Sequence, residues 1–314
     1  MSALHRAVGD YLAMRRTLGY KLERQGPMLL DFAGYLERAG AATVTVEAAL
    51  AWATLPASAA PVWHKHRLSV ARGFAAYLKT LDPSCQVPPK RLLAAPAERV
   101  APYLYSQEEI MALVHAAGTL ASPLQAATYQ ALISLLAVTG LRAGEAIRLS
   151  RADVDLDAAL ITVLNSKFGK SRLVPLHPAT TGMLRRYADR RDQLCPAPAA
   201  GAFFISTTGK PLLITSIDSV FARLLAMAGI TTPPGHARPR VHDLRHTMAV
   251  RTLLEWYRSR ADVAARMPSL STWLGHGDPA STFWYLHASP ELLALAARML
   301  QDSQEGHESQ EEGR

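Results

Sequence analysis

Apolar positions in the first eighty residues recur at helical spacing, and no alternation of apolar and polar positions interrupts them. In VWHKHRLSVARGFAAYLKTL, one apolar helix face holds Leu68, Ala71, Phe74, Ala75 and Leu78. The segment PMLLDFAGYLERAG opens with a proline and closes on a glycine, the usual start and stop of a helix. Together with HRAVGDYLAMRRTLGY and TVEAALAWATL, these segments predict an all-helical domain over residues 1–82.

Five prolines then fall between Asp82 and Pro102. Proline blocks helix continuation and favours extended chain, so residues 83–104 are interpreted as an interdomain linker. Its bases, which include Lys90 and Arg91, either cross a phosphate backbone or keep the linker solvated. The sequence leaves these two interpretations open.

The pattern changes in residues 105–300, which we interpret as a second domain. Ser106 and Glu109 form a capping box before an apolar run, and ATYQALISLLAVTG is a buried helix ended by Gly140. The stretch AALITVLNSKFGKSRLVPL alternates around Gly169 and predicts a β-hairpin, and GAFFISTTGKPL suggests one more short strand. The chain is then helical again. The fold class predicted is mainly α with a small β-sheet, as an all-helical domain followed by an α+β domain.

Composition and charge narrow the function. The chain has 314 residues, and its longest apolar runs are far shorter than a membrane span. Its two cysteines stand alone, which favours a reducing cytoplasm over a disulfide or zinc-ribbon framework. The formal net charge is +8, but residues 301–314 hold five acids and one base. We therefore expect a basic body that binds nucleic acid and an acidic, disordered tail. We also expect a bacterial protein that is cytoplasmic and nucleoid-associated, without a membrane partner.

The first candidate anion site is TGLRAGEAIRL. Arg142 follows a helix-ending glycine and begins the next helix, which places its guanidinium beside free backbone amides. Glu145, three residues later, is able to orient it through a charge-assisted bond. Taken alone, this stretch is better explained by a structural Arg–Glu pair.

The second candidate, SKFGKSR, superficially suggests a nucleotide-binding P-loop. That motif needs glycine where this chain has Leu164, and it leads into a helix rather than into a strand such as RLVPL. An ATP site is therefore improbable. A lysine at the tip of the hairpin, Lys167 or Lys170, is placed to reach the backbone of a partner, unless it serves only to keep the turn soluble.

The third candidate is VHDLRHTMA, where helical spacing puts His242, Arg245 and His246 on one face. A zinc site of the HExxH kind competes with this interpretation, but Arg245 adds a fixed charge and Asp243 replaces the required glutamate. A phosphate suits the face better, and no metal is expected. His246 either supports that site or is a buried structural histidine.

The fourth candidate, LSTWLGHGDPASTFWY, has His276 after a glycine and Tyr285 nine positions later. Taken alone, Tyr285 is a core aromatic with one satisfied hydroxyl. In order along the chain, the six residue types resemble the tyrosine recombinase (phage integrase) family, which uses Arg, Lys, His-x-x-Arg, His and Tyr. The residues that carry the resemblance are Arg142, Lys167, His242, Arg245, His276 and Tyr285.

The resemblance covers roughly residues 105–300, and the first domain is similar to the family's core-binding (SAM-like) domain only in its helices and charge. The chain is longer between Arg245 and His276 than compact chromosome-dimer resolvases, through the material at 255–271. It therefore looks more like the mobile-element or transposon branch of the family.

The resemblance implies a site-specific recombinase that cuts and rejoins double-stranded DNA through a 3′-phosphotyrosyl intermediate, with no metal, other cofactor or ATP. Arginines and His276 would stabilise the phosphate, His242 would take the tyrosine proton, and Lys167 would protonate the leaving oxygen. It also implies a homo-oligomer, a tetrameric synapse on DNA that could include related recombinases. The helix SPELLALAARML would then dock on a neighbouring protomer, the alternative being its own domain.

Three other functions fit the sequence less well than a recombinase. A type IB topoisomerase shares the chemistry, a catalytically inactive DNA-binding regulator shares the fold, and a metallohydrolase is the most distant alternative. Seven further basic residues are expected to contact DNA: Lys65, Arg67, Arg72, Lys90, Arg91, Lys170 and Arg172.

Overall fold

Polar caps and helix-ending glycines set the limits of most helices in the computed structural model. Ser106 and Glu109 form the expected capping box, in which each side chain accepts from the other residue's backbone amide. The structure describes residues 2–93, 102–164, 171–198, 201–233, 238–275, 282, 285 and 291–298. The chain divides into two units, residues 1–99 and 100–314.

The first unit is built from four helices in its described part. Thr45 caps the third of them by accepting from the amide of Ala48 at 3.1 Å. One apolar core joins all four, and it includes the fully buried side chains of Phe32, Trp52 and Phe74. The helices are α1 (Ala3–Thr17), α2 (Gln25–Arg38), α3 (Val46–Thr54) and α4 (Pro61–Leu78).

Part of the proline-rich segment is packed rather than free. Cys85 is 1% exposed and belongs to the core of the first unit. Arg72 of α4 donates to the carbonyls of Pro88 at 2.7 Å and Pro89 at 2.8 Å. These contacts attach the described start of the expected linker to the first unit.

The second unit is mainly helical around a long central helix. Ser122 caps this helix, α6, and Gly140 ends it in the left-handed conformation. The core around α6 receives side chains from α5, α8, α9 and the sheet. The helices are α5 (Gln107–Gly118), α6 (Pro123–Thr139), α7 (Ala143–Ala146), α8 (Pro178–Leu194), α9 (Ile214–Met227), α10 (Asp243–Arg258) and α11 (Val263–Leu274).

Three short antiparallel strands complete the second unit, in the order β1 (Val154–Asp155), β2 (Leu160–Val163) and β3 (Arg172–Pro175). The expected hairpin is confirmed by the pairing of β2 with β3, in which Val163 faces Arg172 and Ile161 faces Val174. The sequence did not predict β1. The stretch GAFFISTTGKPL forms isolated bridges at Ala202 and between Ile205 and Pro211, not a further strand. The fold class, mainly α with a small sheet, is confirmed.

The longer material before His276 consists of helices. Helix α10 continues to Arg258, and Asp262 caps α11 by accepting from the amide of Ala265 at 2.9 Å. The facing sides of α10 and α11 form a separate apolar cluster, which also contains Tyr285 and Leu292. No helix among the described residues is both long and apolar enough to span a bilayer.

The last described helix, residues 291–298, packs on its own chain. Leu292 is fully buried in the cluster of α10 and α11, and Glu291 accepts from Arg258 at 2.6 Å. Leu293 is 45% exposed, so the expected broad apolar face is only partly covered. In the single chain this helix packs on its own domain, and its docking on a neighbouring protomer stays a prediction.

Candidate active site

Two helix-ending glycines bring the candidate residues together. Gly140 ends α6 at φ 62° and Gly275 ends α11 at φ 67°, a conformation that strains other residues. The carbonyl of Gly140 accepts from Nη1 of Arg245 at 2.7 Å, and the carbonyl of Gly275 accepts from Nη2 of Arg142 at 3.2 Å. Each glycine therefore ends a helix and positions one of the two arginines.

Arg142 lies at the N-terminus of α7 and is held by Glu145. Its Nη1 donates to Oε1 of Glu145 at 2.7 Å, and its backbone amide donates to Oε2 at 3.1 Å. The Arg142 side chain keeps 29% of its surface exposed. The Arg–Glu pair expected from the sequence thus exists, and it leaves part of the guanidinium open to a ligand.

Glu145 has a second partner, Arg172 of β3. Nη2 of Arg172 donates to Oε2 at 2.8 Å, while its Nε donates to the carbonyl of Trp273 at 2.8 Å. Burial alone would raise the pKa of Glu145, but the hydrogen bonds and charges of Arg172 and Arg142 outweigh it and lower the pKa to about 2. Glu145 is therefore a permanent buried anion that connects α7, the sheet and the end of α11.

Arg245 is the most deeply buried cation of the site, at 2% exposure. Besides Gly140 it donates to the carbonyl of Leu274 at 2.6 Å. Burial, followed by the charge of Arg142, lowers the pKa of Arg245 to about 10, although Tyr285 lies close enough to oppose that shift. The guanidinium stays charged at neutral pH and lies where an anion would neutralise it.

The two histidines of VHDLRH lie side by side, as their spacing predicts. The rings of His242 and His246 are 4.8 Å apart and nearly perpendicular, and the ring of His246 is 5.4 Å from that of Tyr285. The side chain of His242 reaches the surface but is partly covered by its neighbours. This partial burial, followed by the nearby charge of Arg245, lowers the pKa of His242. A neutral His242 at physiological pH is able to accept a proton.

Tyr285 combines a core position with a polar contact. Its side chain is 2% exposed and lies among apolar side chains of α10 and α11, yet it is close enough to Arg245 to oppose the lowering of that guanidinium's pKa. The structure therefore brings together Arg142, Glu145, Arg245, the two histidines and Tyr285. Lys167, Lys170 and His276 lie outside the described residues. Among the residues that are described, no three His, Cys, Asp or Glu side chains are grouped to hold a metal ion.

Comparison with known proteins identifies the family of the chain. Residues 104–291, which contain all six candidate catalytic positions, match the phage integrase family. The chain belongs to that family. This recombinase is 44% identical over 309 residues to the y4rB protein of Sinorhizobium fredii, named as an integrase/recombinase, covering 96% of this chain and 98% of the relative. It is 29% identical over 238 residues to the tyrosine recombinase XerC of Chlamydia caviae, covering 73% and 68%.

Solved structures share the fold at low identity. The Tn1549 transposon integrase, in complex with a circular intermediate DNA, aligns at a TM-score of 0.64 with 19% identity, over 94% of this chain and 99% of that one. A lambda integrase tetramer bound to a Holliday junction aligns at 0.61 with 18% identity, over 90% and 76%. The family match and the tyrosine recombinases among the relatives, rather than this shared fold, show that the chain is an enzyme of the DNA breaking and rejoining class.

Several basic residues expected to contact DNA have partners within this recombinase. Arg67 stacks on the ring of Trp52 at 3.9 Å and donates to its carbonyl at 3.1 Å, and Arg72 holds the two proline carbonyls. The side chains of Lys65, Lys90 and Arg91 are exposed. Their contacts with DNA, like that of Arg172, stay predictions.

The sequence reasoning gave Arg172 a place on DNA and missed its role as a partner of Glu145. The alternation of β3 could have indicated this role. Side chains two residues apart share a face of a strand, so Arg172 lies on the same face as the apolar Val174, which is buried. Gly275 was likewise passed over, although a glycine after an apolar helical run marks a helix end. No residue type in the sequence predicts that Arg245 donates to the carbonyls of Gly140 and Leu274, because every residue has a backbone carbonyl.

Proposed function

We propose that this chain is a site-specific recombinase that cuts and rejoins DNA through a covalent link to Tyr285, in the service of a mobile element. The observation that carries the proposal is that the buried Tyr285, whose ring lies 5.4 Å from that of His246, is close enough to the buried Arg245 to oppose the lowering of that guanidinium's pKa. A core tyrosine needs some hydrogen-bond partner, but a buried guanidinium beside a second arginine and a histidine is an anion site adjoining a nucleophile.

The reaction requires an in-line attack and stabilisation of a doubly negative transition state. The Tyr285 oxygen forms a bond to phosphorus, the bond from phosphorus to the 5′-oxygen breaks, and a 3′-phosphotyrosyl link remains. Arg142 and Arg245 offer bidentate donors to the two non-bridging oxygens. Because the ester preserves the bond energy, attack by a 5′-hydroxyl reverses the step without ATP.

Two protons must move in this step. The Tyr285 proton goes to a base, for which His242 is suited because its lowered pKa keeps it neutral. The leaving 5′-oxygen receives a proton from Lys167, and His276 adds a hydrogen bond to the phosphate; both assignments come from the family resemblance. Glu145 and His246 act behind these groups, by holding Arg142 and by lining the ring of Tyr285.

The test uses a duplex selected in vitro from a random pool by binding to the full chain, with a nick that traps the cleaved strand. The wild type is expected to form a protein–DNA adduct that survives denaturing electrophoresis. Tyr285→Phe is expected to bind the duplex and form no adduct. Tyr257→Phe is the control, since it removes a hydroxyl from another tyrosine beside the same apolar cluster and should leave the adduct intact.

Three outcomes would contradict the proposal. Adduct that persists in Tyr285→Phe would move the nucleophile elsewhere. Specific binding with no adduct in the wild type would indicate a DNA-binding regulator. Adduct and relaxation of supercoils, without exchange between two target duplexes, would indicate a topoisomerase.

Strand exchange also needs several protomers on DNA. The lambda integrase neighbour is a tetramer bound to a Holliday junction, and we propose an equivalent homo-oligomer here, acting on the chromosome in the cytoplasm. Residues 291–298 would have to leave the cluster that buries Leu292 before they could dock on a neighbour. The exposed Arg258–Glu291 pair that also holds them opposes this release only weakly, since its side chains are 57% and 55% exposed.

A further inference from the structure

Arg240 lies beside the site but outside the six residues that the family resemblance supplies. It is two positions before His242, and its side chain is 60% exposed. Its partner, Asp243, is fully buried. An exposed arginine fixed to a buried carboxylate differs from an ordinary surface ion pair, in which both side chains move freely.

The carboxylate holds both the backbone and the side chain of Arg240. Oδ2 of Asp243 accepts from the backbone amide at 2.8 Å, and Oδ1 accepts from Nη2 at 3.1 Å. The carbonyl of Arg240 accepts from the hydroxyl of Tyr105 at 3.0 Å. Within the described part of the chain, Nη1 of Arg240 has no hydrogen-bond partner. The guanidinium is therefore oriented in advance, with an edge of donors still available to an anion.

Arg240 also borders a groove that leads to His242. The groove has a volume of about 400 Å³ and an apolar floor formed by Phe221 and Leu225 of α9. Among the described residues that line it, Arg238 and Arg240 carry fixed positive charge and Asp218 is the one acid. The charge of Arg240 contributes to the lowered pKa of His242, so the two side chains belong to one electrostatic environment. The groove therefore places Arg240 and His242 on one lining, where an anion bound at the site would have a second cation near it.

We propose that Arg240 binds the DNA phosphate next to the one that Tyr285 attacks, on the same strand. The proposal rests on the proposed function, because it takes the attacked phosphate to lie at Arg142 and Arg245. Contacts to flanking phosphates fix the register of a protein on DNA. Arg240 is thus a positioning residue that sets which phosphate meets the nucleophile.

The experiment pairs protein variants with substrates that lack one charge. The selected duplex is made with a neutral methylphosphonate at each position around the cut, and its binding is measured in a Tyr285→Phe background so that no adduct is needed. With Arg240 present, one flanking substitution should weaken binding several-fold. With Arg240→Gln, the same substitution should have no further effect, and the slope of log affinity against log salt should fall by about 0.9.

Arg185→Gln is the matched control. Arg185 also forms an exposed Arg–Asp pair, with Asp157 at 2.9 Å and 53% side-chain exposure, but it lies on α8 away from the groove. This control should keep the wild-type response at every phosphate. Arg240→Lys should restore part of the response, because a lysine keeps the charge but not the fork.

Two results would overturn the assignment. Arg240→Gln could retain its sensitivity at every flanking phosphate, or it could lose affinity equally for all substrates together with a lowered melting temperature, which is the behaviour of a structural residue. Failure of the proposed function looks different. The wild type would then form no adduct. The binding measurements would still show that Arg240 responds to the charge of one phosphate.

Discussion

At the scale of single residues, Glu145 supports the site because one buried carboxylate pairs with both Arg142 and Arg172. Its side chain is 2% exposed, and its pKa of about 2 lies below the ordinary value of 4.5. A carboxyl group whose pKa is lowered by folding stabilises the folded state at pH values above its ordinary pKa. That stabilisation is lost as the pH falls toward its pKa in the folded state. We predict that Glu145→Gln lowers the free energy of unfolding at neutral pH by about 3 kcal/mol. Denaturant titration measures this, and the variant should lose less stability than the wild type between pH ~5 and ~2.

Asp192→Asn is the control for this prediction. Asp192 also lies between two arginines, Arg151 and Arg191, but its side chain is 43% exposed. Solvent screens such a pair, so the loss should be at most about 1 kcal/mol. Equal losses in the two variants would show that the burial of Glu145 adds nothing to its pairing.

Residue-level sequence reasoning succeeded where partners are close in the chain. The Arg142–Glu145 pair and the shared face of His242 and His246 follow from helical spacing, and both are present. It could not supply Arg172, whose partner is 27 positions away. Tyr285 shows the same limit, because its core position and its contact with Arg245 depend on how α10 and α11 pack.

At the scale of elements, the end of α11 sets the position of Arg172. A Cβ at Gly275 would lie 2.6 Å from Nη1 of Arg172, and Gly275 has φ 67°. Gly229 has nearly the same φ, 68°, with nothing within 4 Å. Gly229→Ala therefore isolates the backbone strain, about 1 kcal/mol, whereas Gly275→Ala should cost about 1–3 kcal/mol more because Arg172 must move. Chemical denaturation of both variants tests the difference, and equal costs would mean that Arg172 yields freely.

Element prediction worked best for helices, because their caps and apolar faces are local. The capping box at Ser106 and the end of α6 at Gly140 were read correctly from the sequence. The hairpin of β2 and β3 also followed from alternation. β1 did not, since a two-residue strand has no periodicity of its own and exists through its pairing with β2.

At the scale of the whole molecule, charge is divided unevenly along the chain. The net charge is +8, yet residues 301–314 contribute five acids and one base, so the remainder carries +12. A more positive body attracts DNA over longer distances, and salt screens that attraction. Removal of residues 301–314 should therefore raise the association rate with a duplex several-fold at low salt. The advantage should disappear toward molar salt, where the screening length is about 3 Å.

Stopped-flow fluorescence with a labelled duplex measures this effect across a salt series. A full-length variant whose five tail acids are replaced by their amides should associate at least as fast as the truncated chain, because it loses five negative charges while truncation also removes Arg314. A chain with the tail residues in scrambled order should match the wild type. If amide replacement changes nothing while truncation accelerates binding, the tail acts through its bulk or its own contacts, and the charge argument fails. If the advantage of truncation persists at high salt, the same conclusion follows, since a screened interaction cannot survive there.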